Sequence, residues 1–364
     1  MRELAQDDPR SLIRQAWLHD YYCGGGWSSG GVHGSWAFLP WHRAFVYYHE
    51  RILARLVNNE NFRLPVWDWE NNSRLPSFFE ELGLPTFLTG TSGRLPNPGN
   101  WLDPCAIQAW LASERFEDFG GAVNSCQAAG GVHTVVHTRV VGGAMRFPAT
   151  AAADPIFYAH HGNVDRFWWH WQKQYSFDIP EGFRRQKFHF FDERGAFVEV
   201  EASQVLNEAD LGYRYDENPP KVPLCQYNRL IVDGKMLAEA RLRTNRFMEW
   251  QSTVVKQSAY PVQVVATLDF RHIAPGTYYV LGLASPTRVY TLGGFGAFAS
   301  SGQCQEPAIR RFQVPGRLGS EVLKALLSQT KLLPMCAKYV GHRRILVSNN
   351  ILSDVSLRVL GLPA

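Results

Sequence analysis

The chain up to about residue 221 shows helical periodicity interrupted by Gly- and Pro-rich loops. One helix is predicted to open at Pro40, a residue suited to a first helical turn, and to run through RAFVYYHERILARLV to Asn58 and Asn59. A second is predicted to open at Asp154 and Pro155 and to continue through FYAHHGNVDRFWWHWQKQY. This part of the chain is therefore expected to form a helical bundle with long loops.

The pattern changes after DENPPKVP, residues 216–223, which cannot continue a helix or a central strand. Short β-branched and aromatic runs follow, bounded by Gly, Pro or Asn: RLIVDG, YPVQVVATLDF, GTYYVLGLA, RVYTLGGFG and RILVSNN. They predict a β-sandwich, interrupted by one helix-like stretch, EVLKALLSQTKLL. We therefore predict a mainly α catalytic domain at 1–221 and a β-rich C-terminal domain at 222–364.

Composition narrows the class of protein. The 364 residues are 45% hydrophobic, which is enough for a substantial core, and 37 basic against 33 acidic residues form no long basic run. We expect small-molecule partners and neither nucleic acid nor a membrane, because no apolar run reaches the roughly 18 residues of a bilayer span. The start of the chain lacks the apolar stretch of a secretion signal and begins with Met1, which favours a soluble, cytoplasmic protein, the alternative being a leader that was cleaved off. The oligomeric state is not indicated.

The cysteines do not form a recognisable framework. Six are too few for a disulfide scaffold at this length, and no CxxC pair is present to hold zinc. A disulfide between Cys105 and Cys126 is one pairing among several that spacing leaves open.

Three histidines suggest one metal site. His133 and His137 lie in HTVVH, and the i, i+4 spacing places both imidazoles on one face of a helix, although two histidines can share a face without binding a metal. A third histidine on the helix opened by DPIF would complete the set.

That helix carries two adjacent histidines, His160 and His161. Because neighbours differ by about 100° around a helix, we expect only one of them to reach the ion. We favour His161 and assign His160 to the pocket wall. Asp165, one turn later, is expected to orient a neighbouring group or to hold Arg166.

A second set lies earlier in the chain. His33 and His42 are nine residues apart, which is half a turn out of phase on a helix, so His33 must come from a loop. His19, near the end of LIRQAWLHDYYC, supplies the third nitrogen. His49 is the rival, but its place two turns after His42 favours a packed or surface role.

Three neutral imidazoles per ion suit copper or zinc better than hard cations. Zinc is the alternative for each site alone. Two matched sets without a bridging carboxylate in their motifs favour a pair of copper ions that handles dioxygen.

These motifs resemble the type-3 copper proteins, which comprise tyrosinases, catechol oxidases and molluscan hemocyanins. The likeness covers residues 1 to about 221 and rests on HDYYC, PWHR, HTVVH, the DPxF pattern that selects His161 over His160, and the tyrosine motif LGYRY at 211–215. In this family His19, His33 and His42 would bind one copper, and His133, His137 and His161 the other.

The resemblance implies an oxidoreductase with two copper ions and dioxygen as co-substrate. Its enzymes oxidise o-diphenols to o-quinones with reduction of dioxygen to water, and tyrosinases also hydroxylate monophenols. A polyphenol oxidase is expected rather than a hemocyanin-like carrier. Molluscan carriers are long strings of such units, whereas a chain of 364 residues has the length of a single unit, which is typical of an enzyme. Oxidation of o-aminophenols is a further alternative.

The resemblance also implies a thioether between Cys23 and His33, the alternative being a free buried thiol. Ala129 and Thr134 stand where good monophenolases often carry Glu and Asn, so diphenol oxidation is expected to outpace monophenol hydroxylation.

Other pocket positions follow from the same resemblance. Phe147 or Pro148 falls at the gate over the first copper, and Thr138 at a position that guides substrate. The β-rich domain resembles one that covers the site in latent forms. A loop such as LGGFGAF, 292–298, is expected to enter the pocket, unless the domain only stabilises the fold.

Overall fold

The computed structural model describes residues 1–24, 31–82, 94, 102, 104–111, 113–120, 131–177, 179, 181–222, 236–242, 262–269, 277–297, 308–314, 321–322, 324–325, 333–340, 343–347 and 351–360.

The N-terminal part is mainly helical, as predicted. The described α-helices are α1 Leu12–Cys23, α2 Phe38–Leu56, α3 Ser77–Leu82, α4 Pro104–Leu111, α5 Phe116–Phe119, α6 Val132–Val135, α7 Pro148–Ala151, α8 Ile156–Gln174 and α9 Glu181–Arg184. A π-helical turn, Val136–Val141, continues α6, and 3₁₀ turns occupy Val32–Gly34, Gly143–Arg146, Ala202–Val205 and Glu208–Leu211.

The two long helices, α2 and α8, pack against each other. Helix α2 begins at Phe38, two residues before the predicted start, which still leaves Pro40 in the first turn where no amide hydrogen is needed. Helix α8 begins at Ile156, whose amide donates to Asp154 Oδ1 at 3.2 Å, so the predicted capping residue lies at this end of the helix.

Large aromatic side chains fill the core around these helices. Trp41, Trp69, Trp168 and Trp171 are among the largest fully buried side chains. Burying a large apolar side chain contributes roughly 1.5–3 kcal/mol, so this core supplies much of the stability that holds α2 and α8 in place.

A β-hairpin in the N-terminal part was not predicted. Strands β1 Lys187–Phe191 and β2 Phe197–Glu201 pair antiparallel, and β1 lies against α2. The signal in the sequence was the alternation along β1, where Phe188 and Phe190 are both buried. The turn between β1 and β2 contains Gly195 at φ +81°. Five residues are too few for that alternation to stand out beside helical neighbours.

The C-terminal part contains two antiparallel four-stranded sheets, in agreement with the predicted β-rich domain. Their orders are β3-β10-β4-β7 and β6-β5-β8-β9. The strands are β3 Met236–Leu242, β4 Val262–Leu268, β5 Thr277–Ala284, β6 Val289–Ala297, β7 Ala308–Val314, β8 Leu333–Val340, β9 Arg343–Val347 and β10 Leu352–Leu360. The boundary at residue 221 stays a prediction, because 223–235, with the predicted strand RLIVDG, lie outside the described residues.

One local prediction in this part was wrong. Residues 292–297 form strand and not a loop, because Val289–Ala297 pairs with β5, with one register shift at Leu292. The predicted helix-like stretch is helical at 321, 322, 324 and 325, and its last residue, Leu333, begins β8. Residue 298 lies outside the described part.

The sheet β6-β5-β8-β9 contacts the helical part at α6 and at the π-helical turn that follows it. Strand β6 lies against α6, and β5 lies against Val136–Val141. In the described part of the chain, no helix has the length and apolar character needed to cross a bilayer.

Candidate metal centre

Two buried groups of metal-ligating side chains form in the helical part. Within each group the ligand atoms all lie within 4.8 Å of one another. The first group is His19, Cys23, His33 and His42, and the second is His133, His137, His160 and His161. All six histidines predicted as ligands are therefore brought into the two predicted sets.

Three elements build the first group. His19 comes from the last part of α1, His42 from the first part of α2, and His33 from the 3₁₀ turn between them. Gly31 lets that turn approach α1, since its φ is +56° and a Cβ there would lie 2.9 Å from the carbonyl oxygen of Tyr22. A loop origin for His33 is confirmed.

The second group spans a change of helix type. His133 lies on α6 and His137 on the π-helical turn that continues it, while His160 and His161 lie on α8. π-Helical turns are rare and occur frequently at functional sites.

The two groups face each other in one buried region. The His42 ring stacks on that of His161 with centroids 4.1 Å apart, and the His33 ring stacks on that of His133 at 5.5 Å. The two groups therefore form one continuous buried site with donor rings on both sides.

Backbone carbonyls fix the orientation of three rings. A carbonyl oxygen only accepts, so the bonded Nδ1 must carry the hydrogen and Nε2 is left with its lone pair. The bonds run from His19 to Pro148 at 2.8 Å, from His42 to Phe38 at 2.8 Å and from His137 to Met145 at 2.6 Å.

Burial keeps the rings neutral. It lowers the pKa of His19 to about 4 and that of His137 to about 3, and it holds the pKa of His33, His42 and His133 well below the ordinary value. Neutral imidazoles offer lone pairs at pH 7. Among the described residues neither group contains a carboxylate, so the donors fit copper better than a hard cation.

His160 lies in the second group together with His161. Its ring stacks on that of His133 with centroids 5.3 Å apart, and one of its nitrogens lies within 4.8 Å of the other donor atoms of the group. Helical spacing fixes where Cβ points, whereas the side-chain torsions set the ring, so both adjacent rings reach this region and the choice of His161 as the ligand stays a prediction. His161 Nε2 lies 3.4 Å from His137 Nε2.

His49, the rival ligand, belongs to neither group. It is buried and stacks on Tyr158, which is a packing role in the core.

Cys23 lies in the first group. Its Sγ is 3.9 Å from His42 Nε2, and burial raises the pKa of the thiol well above its usual value. His33 belongs to the same group, and the thioether between the two residues stays a prediction.

The predicted pocket residues lie near both groups, because Thr134 and Thr138 each follow a ligand of the second group and Pro148 contacts His19 of the first. Thr134 and Thr138 are buried, and the Thr138 hydroxyl donates to the Thr134 carbonyl at 2.7 Å. Phe147 is 47% exposed, whereas Pro148 is buried and its carbonyl holds His19. Ala129 lies outside the described residues.

A buried ion pair that was not predicted links the two ligand helices. Arg43, next to His42, donates to Asp165 on α8 at 2.6 Å. Asp165 was expected either to orient a neighbouring group or to hold Arg166. The second alternative was wrong, because neighbours on a helix point apart and Arg166 pairs with Glu70 at 2.8 Å.

The LGYRY segment completes this network. The hydroxyls of Tyr213 and Tyr215 donate to Asp165 Oδ2 at 2.5 and 2.8 Å. The sequence holds no local signal for the pair, because Arg43 and Asp165 are 122 residues apart.

Comparison with known proteins gives a consistent result. Residues 9–117 and 97–174 match the common central domain of tyrosinase, and residues 184–225 match the polyphenol oxidase middle domain. A chloroplastic polyphenol oxidase of Spinacia oleracea is 28% identical over 335 residues, covering 75% of this chain and 52% of the relative. Catechol oxidase B of Solanum tuberosum, also chloroplastic, is 29% identical over 272 residues, with 60% and 45% covered.

Solved structures show the same fold. A recombinant latent aurone synthase, a polyphenol oxidase, matches 100% of this chain and 85% of its own with a TM-score of 0.63 and 22% identity. A latent apple tyrosinase matches with a TM-score of 0.59 and 19% identity, covering 100% and 91%.

The chain spans about half the length of the curated relatives it matches. The expectation of a cytoplasmic location was wrong, because these relatives are chloroplastic proteins. A targeting segment is separate from the folded domain, so the composition of the folded part does not report it.

Proposed function

The chain belongs to the type-3 copper family of tyrosinases and catechol oxidases, and from this premise we propose that it oxidises o-diphenols to o-quinones while dioxygen is reduced to water. The observation that carries the proposal is the pair of buried, facing histidine groups. Relatives named polyphenol oxidase and catechol oxidase support it.

We assign His19, His33 and His42 to one copper ion and His133, His137 and His161 to the other. The carbonyl bonds that turn Nε2 of three of these rings away from the backbone support the assignment. These six histidines would hold two copper ions, which would supply the dioxygen and electron-transfer chemistry when bound.

The protein sets geometry and access. The ligand rings are almost fully buried, so bulk water is excluded and the rings keep their positions without solvent reorganisation. Three ligands are fixed through Nδ1, and Arg43–Asp165 holds α2 against α8, which keeps His42 and His161 stacked. The frame therefore holds the donor rings of both groups in fixed positions before any metal or substrate binds.

The substrate preference is proposed to favour diphenols over monophenols. Thr134 follows His133 where good monophenolases of the family often carry Asn, and Ala129 replaces a Glu. A diphenol needs less help to lose its proton at this site, because its first proton is more acidic than that of a monophenol.

Initial rates of oxygen uptake by the copper-loaded protein test this function, with catechol and phenol compared at equal concentration. We expect catechol to be consumed faster and Thr134→Asn to raise the rate with phenol relative to catechol. Thr150→Asn, at a half-buried threonine whose hydroxyl donates to Ala144, is the matched control. Formation of an oxygenated complex without consumption of either phenol would contradict the oxidase and favour a dioxygen carrier.

A further inference from the structure

A line of aromatic rings runs from the first histidine group to the surface. The Trp41 ring lies 4.8 Å from the ring of His42 and 5.9 Å from that of His19. The Tyr22 ring is 5.2 Å from Trp41, and the Tyr21 ring is 5.2 Å from Tyr22. Trp41 and Tyr22 are buried, whereas Tyr21 is 53% exposed. Tryptophan and tyrosine are the side chains whose rings lose an electron most readily, and these gaps are short for electron transfer.

The Tyr22 hydroxyl has a base beside it. It donates to His189 Nδ1 at 3.2 Å and accepts the backbone amide of His189 at 2.8 Å. On the other side of the ring, His189 Nε2 lies 3.2 Å from Glu199 Oε2. Because a carboxylate accepts, Nε2 carries the hydrogen and Nδ1 offers its lone pair to Tyr22.

The hydrogen bonds of Trp41 and Tyr22 determine which of the two side chains would remain oxidised. Within the described part of the chain, the buried Trp41 indole N–H has no acceptor, so oxidised Trp41 keeps its proton and stays strongly oxidising. A phenol that loses an electron becomes a very strong acid, and Tyr22 can pass that proton to His189. Burial raises the pKa of Tyr22 to about 12, so the phenol is protonated at neutral pH and its oxidation requires a proton acceptor.

Tyr158 provides the contrast. It is also buried, and its ring lies 5.1 Å from Phe157, whose ring touches that of His161. Its hydroxyl donates to the carbonyl oxygen of Ala152 at 3.1 Å, which is too weak a base to take the proton.

We propose that Tyr22 is a redox-active tyrosine that supplies an electron through Trp41 to the histidine-bound copper site when no phenol is present to do so. The inference rests on the proposed function, since dioxygen reduced at that site is the oxidant. It protects the ligands, because an oxidising site without substrate would otherwise draw electrons from the histidines themselves.

The step balances. Tyr22 loses one electron to the oxidised site and one proton to His189 Nδ1, and Glu199 stabilises the resulting imidazolium. Tyr21 then restores Tyr22: it gives up one electron and releases its proton to solvent, while the proton on His189 returns to Tyr22. A diphenol in solution reduces exposed Tyr21 by donating one electron and one proton.

Electron paramagnetic resonance of the copper-loaded protein tests the proposal. The protein is mixed with hydrogen peroxide without phenol and frozen rapidly. We expect a tyrosyl signal that narrows when the tyrosines carry ring deuterium. Tyr22→Phe should lose this signal while keeping the wild-type copper content, and Tyr158→Phe should keep it. An unchanged signal in Tyr22→Phe, or no tyrosyl signal in the wild type, would overturn the proposal.

Replacing the base leaves Tyr22 in place. His189→Ala should remove the tyrosyl signal, and added imidazole should restore it, because the side chain of His189 is 37% exposed. A tyrosyl signal of wild-type intensity in His189→Ala would overturn the role of the base.

A copper-free arm separates this inference from the proposed function. In metal-free protein, photogenerated tris(bipyridine)ruthenium(III) is the oxidant, and we expect a radical that requires both Tyr22 and His189. If catechol is not oxidised by the copper-loaded protein but this radical forms, the proposed function fails while Tyr22 retains its redox role. If neither occurs, both fail.

Discussion

Single histidine rings carry the chemistry of the site, and three of them are oriented by a backbone carbonyl. His19, His42 and His137 donate from Nδ1 to a carbonyl, which leaves Nε2 for the metal. In the described part of the chain no carbonyl holds Nδ1 of His160 or of His161, and only His161 has a ring nitrogen close to that of His137, at 3.4 Å. The two adjacent histidines of α8 are therefore to be separated by experiment.

Copper content distinguishes His161 from His160. His161→Gln is expected to lose most of the second copper, because Nε2 of His161 lies beside that of His137. His160→Gln, the matched neighbour, should bind two copper ions as the wild type does. Elemental analysis after dialysis measures both, and the reverse result would make His160 the third ligand.

The stability of the metal-free protein should depend on acidity. Folding lowers the pKa of His19 to about 4 and that of His49 and His137 to about 3. Below an unfolded pKa of about 6.5, only the unfolded chain binds these protons, so the free energy of unfolding decreases as pH falls toward the folded pKa. The upper limit is about 1.4 kcal/mol per pH unit for each histidine.

Urea unfolding of metal-free protein at pH 7, 6 and 5 measures this dependence. We expect the free energy of unfolding to decrease steadily between pH 6 and 5 and to change little above pH 7. A free energy that is constant over the whole range would mean that these rings are not buried as neutral groups.

At the scale of elements, the two ligand helices are joined by one ion pair. Arg43 on α2 and Asp165 on α8 are both buried, and Tyr213 and Tyr215 bond to the same carboxylate. Removing one charge from such a pair leaves the other without compensation in a medium that solvates it poorly.

Asp165→Asn is therefore expected to lower the free energy of unfolding by about 3–5 kcal/mol. The surface pair Glu181–Arg185 is the control, because both side chains are largely exposed and Glu181→Gln should cost less than about 1 kcal/mol. Equal effects of the two substitutions in urea unfolding would show that the buried pair does not join the helices.

The sequence predicts those features of the site whose residues lie close together along the chain, and it does not predict contacts between distant segments. HTVVH places His133 and His137 at a fixed helical offset, so spacing indicates that this pair shares a face, whereas the full ligand sets follow from the resemblance to the family. The carbonyls of Pro148 and Met145 belong to irregular backbone, which has no periodicity to read. Arg43 and Asp165 are 122 residues apart, and only packing of α2 on α8 shows that they meet.

At the scale of the whole molecule, the β-rich part bears on access to the site. Strand β6 lies against α6, which carries His133, and β5 lies against the π-helical turn that carries His137. We predict that this part shields the site, so limited proteolysis of the copper-loaded protein between residues 216 and 235 should increase the rate of catechol oxidation. An unchanged rate per bound copper pair would assign the β-rich part a stabilising role only.

The stoichiometry of catechol oxidation by the copper-loaded protein tests whether the chain oxidises diphenols while dioxygen is reduced to water. Oxygen uptake and o-quinone absorbance are followed together in one cell. Because each diphenol gives up two electrons and dioxygen takes four to become water, we expect one dioxygen for every two quinones and no accumulated hydrogen peroxide. Dioxygen that binds reversibly with no quinone formed would contradict it.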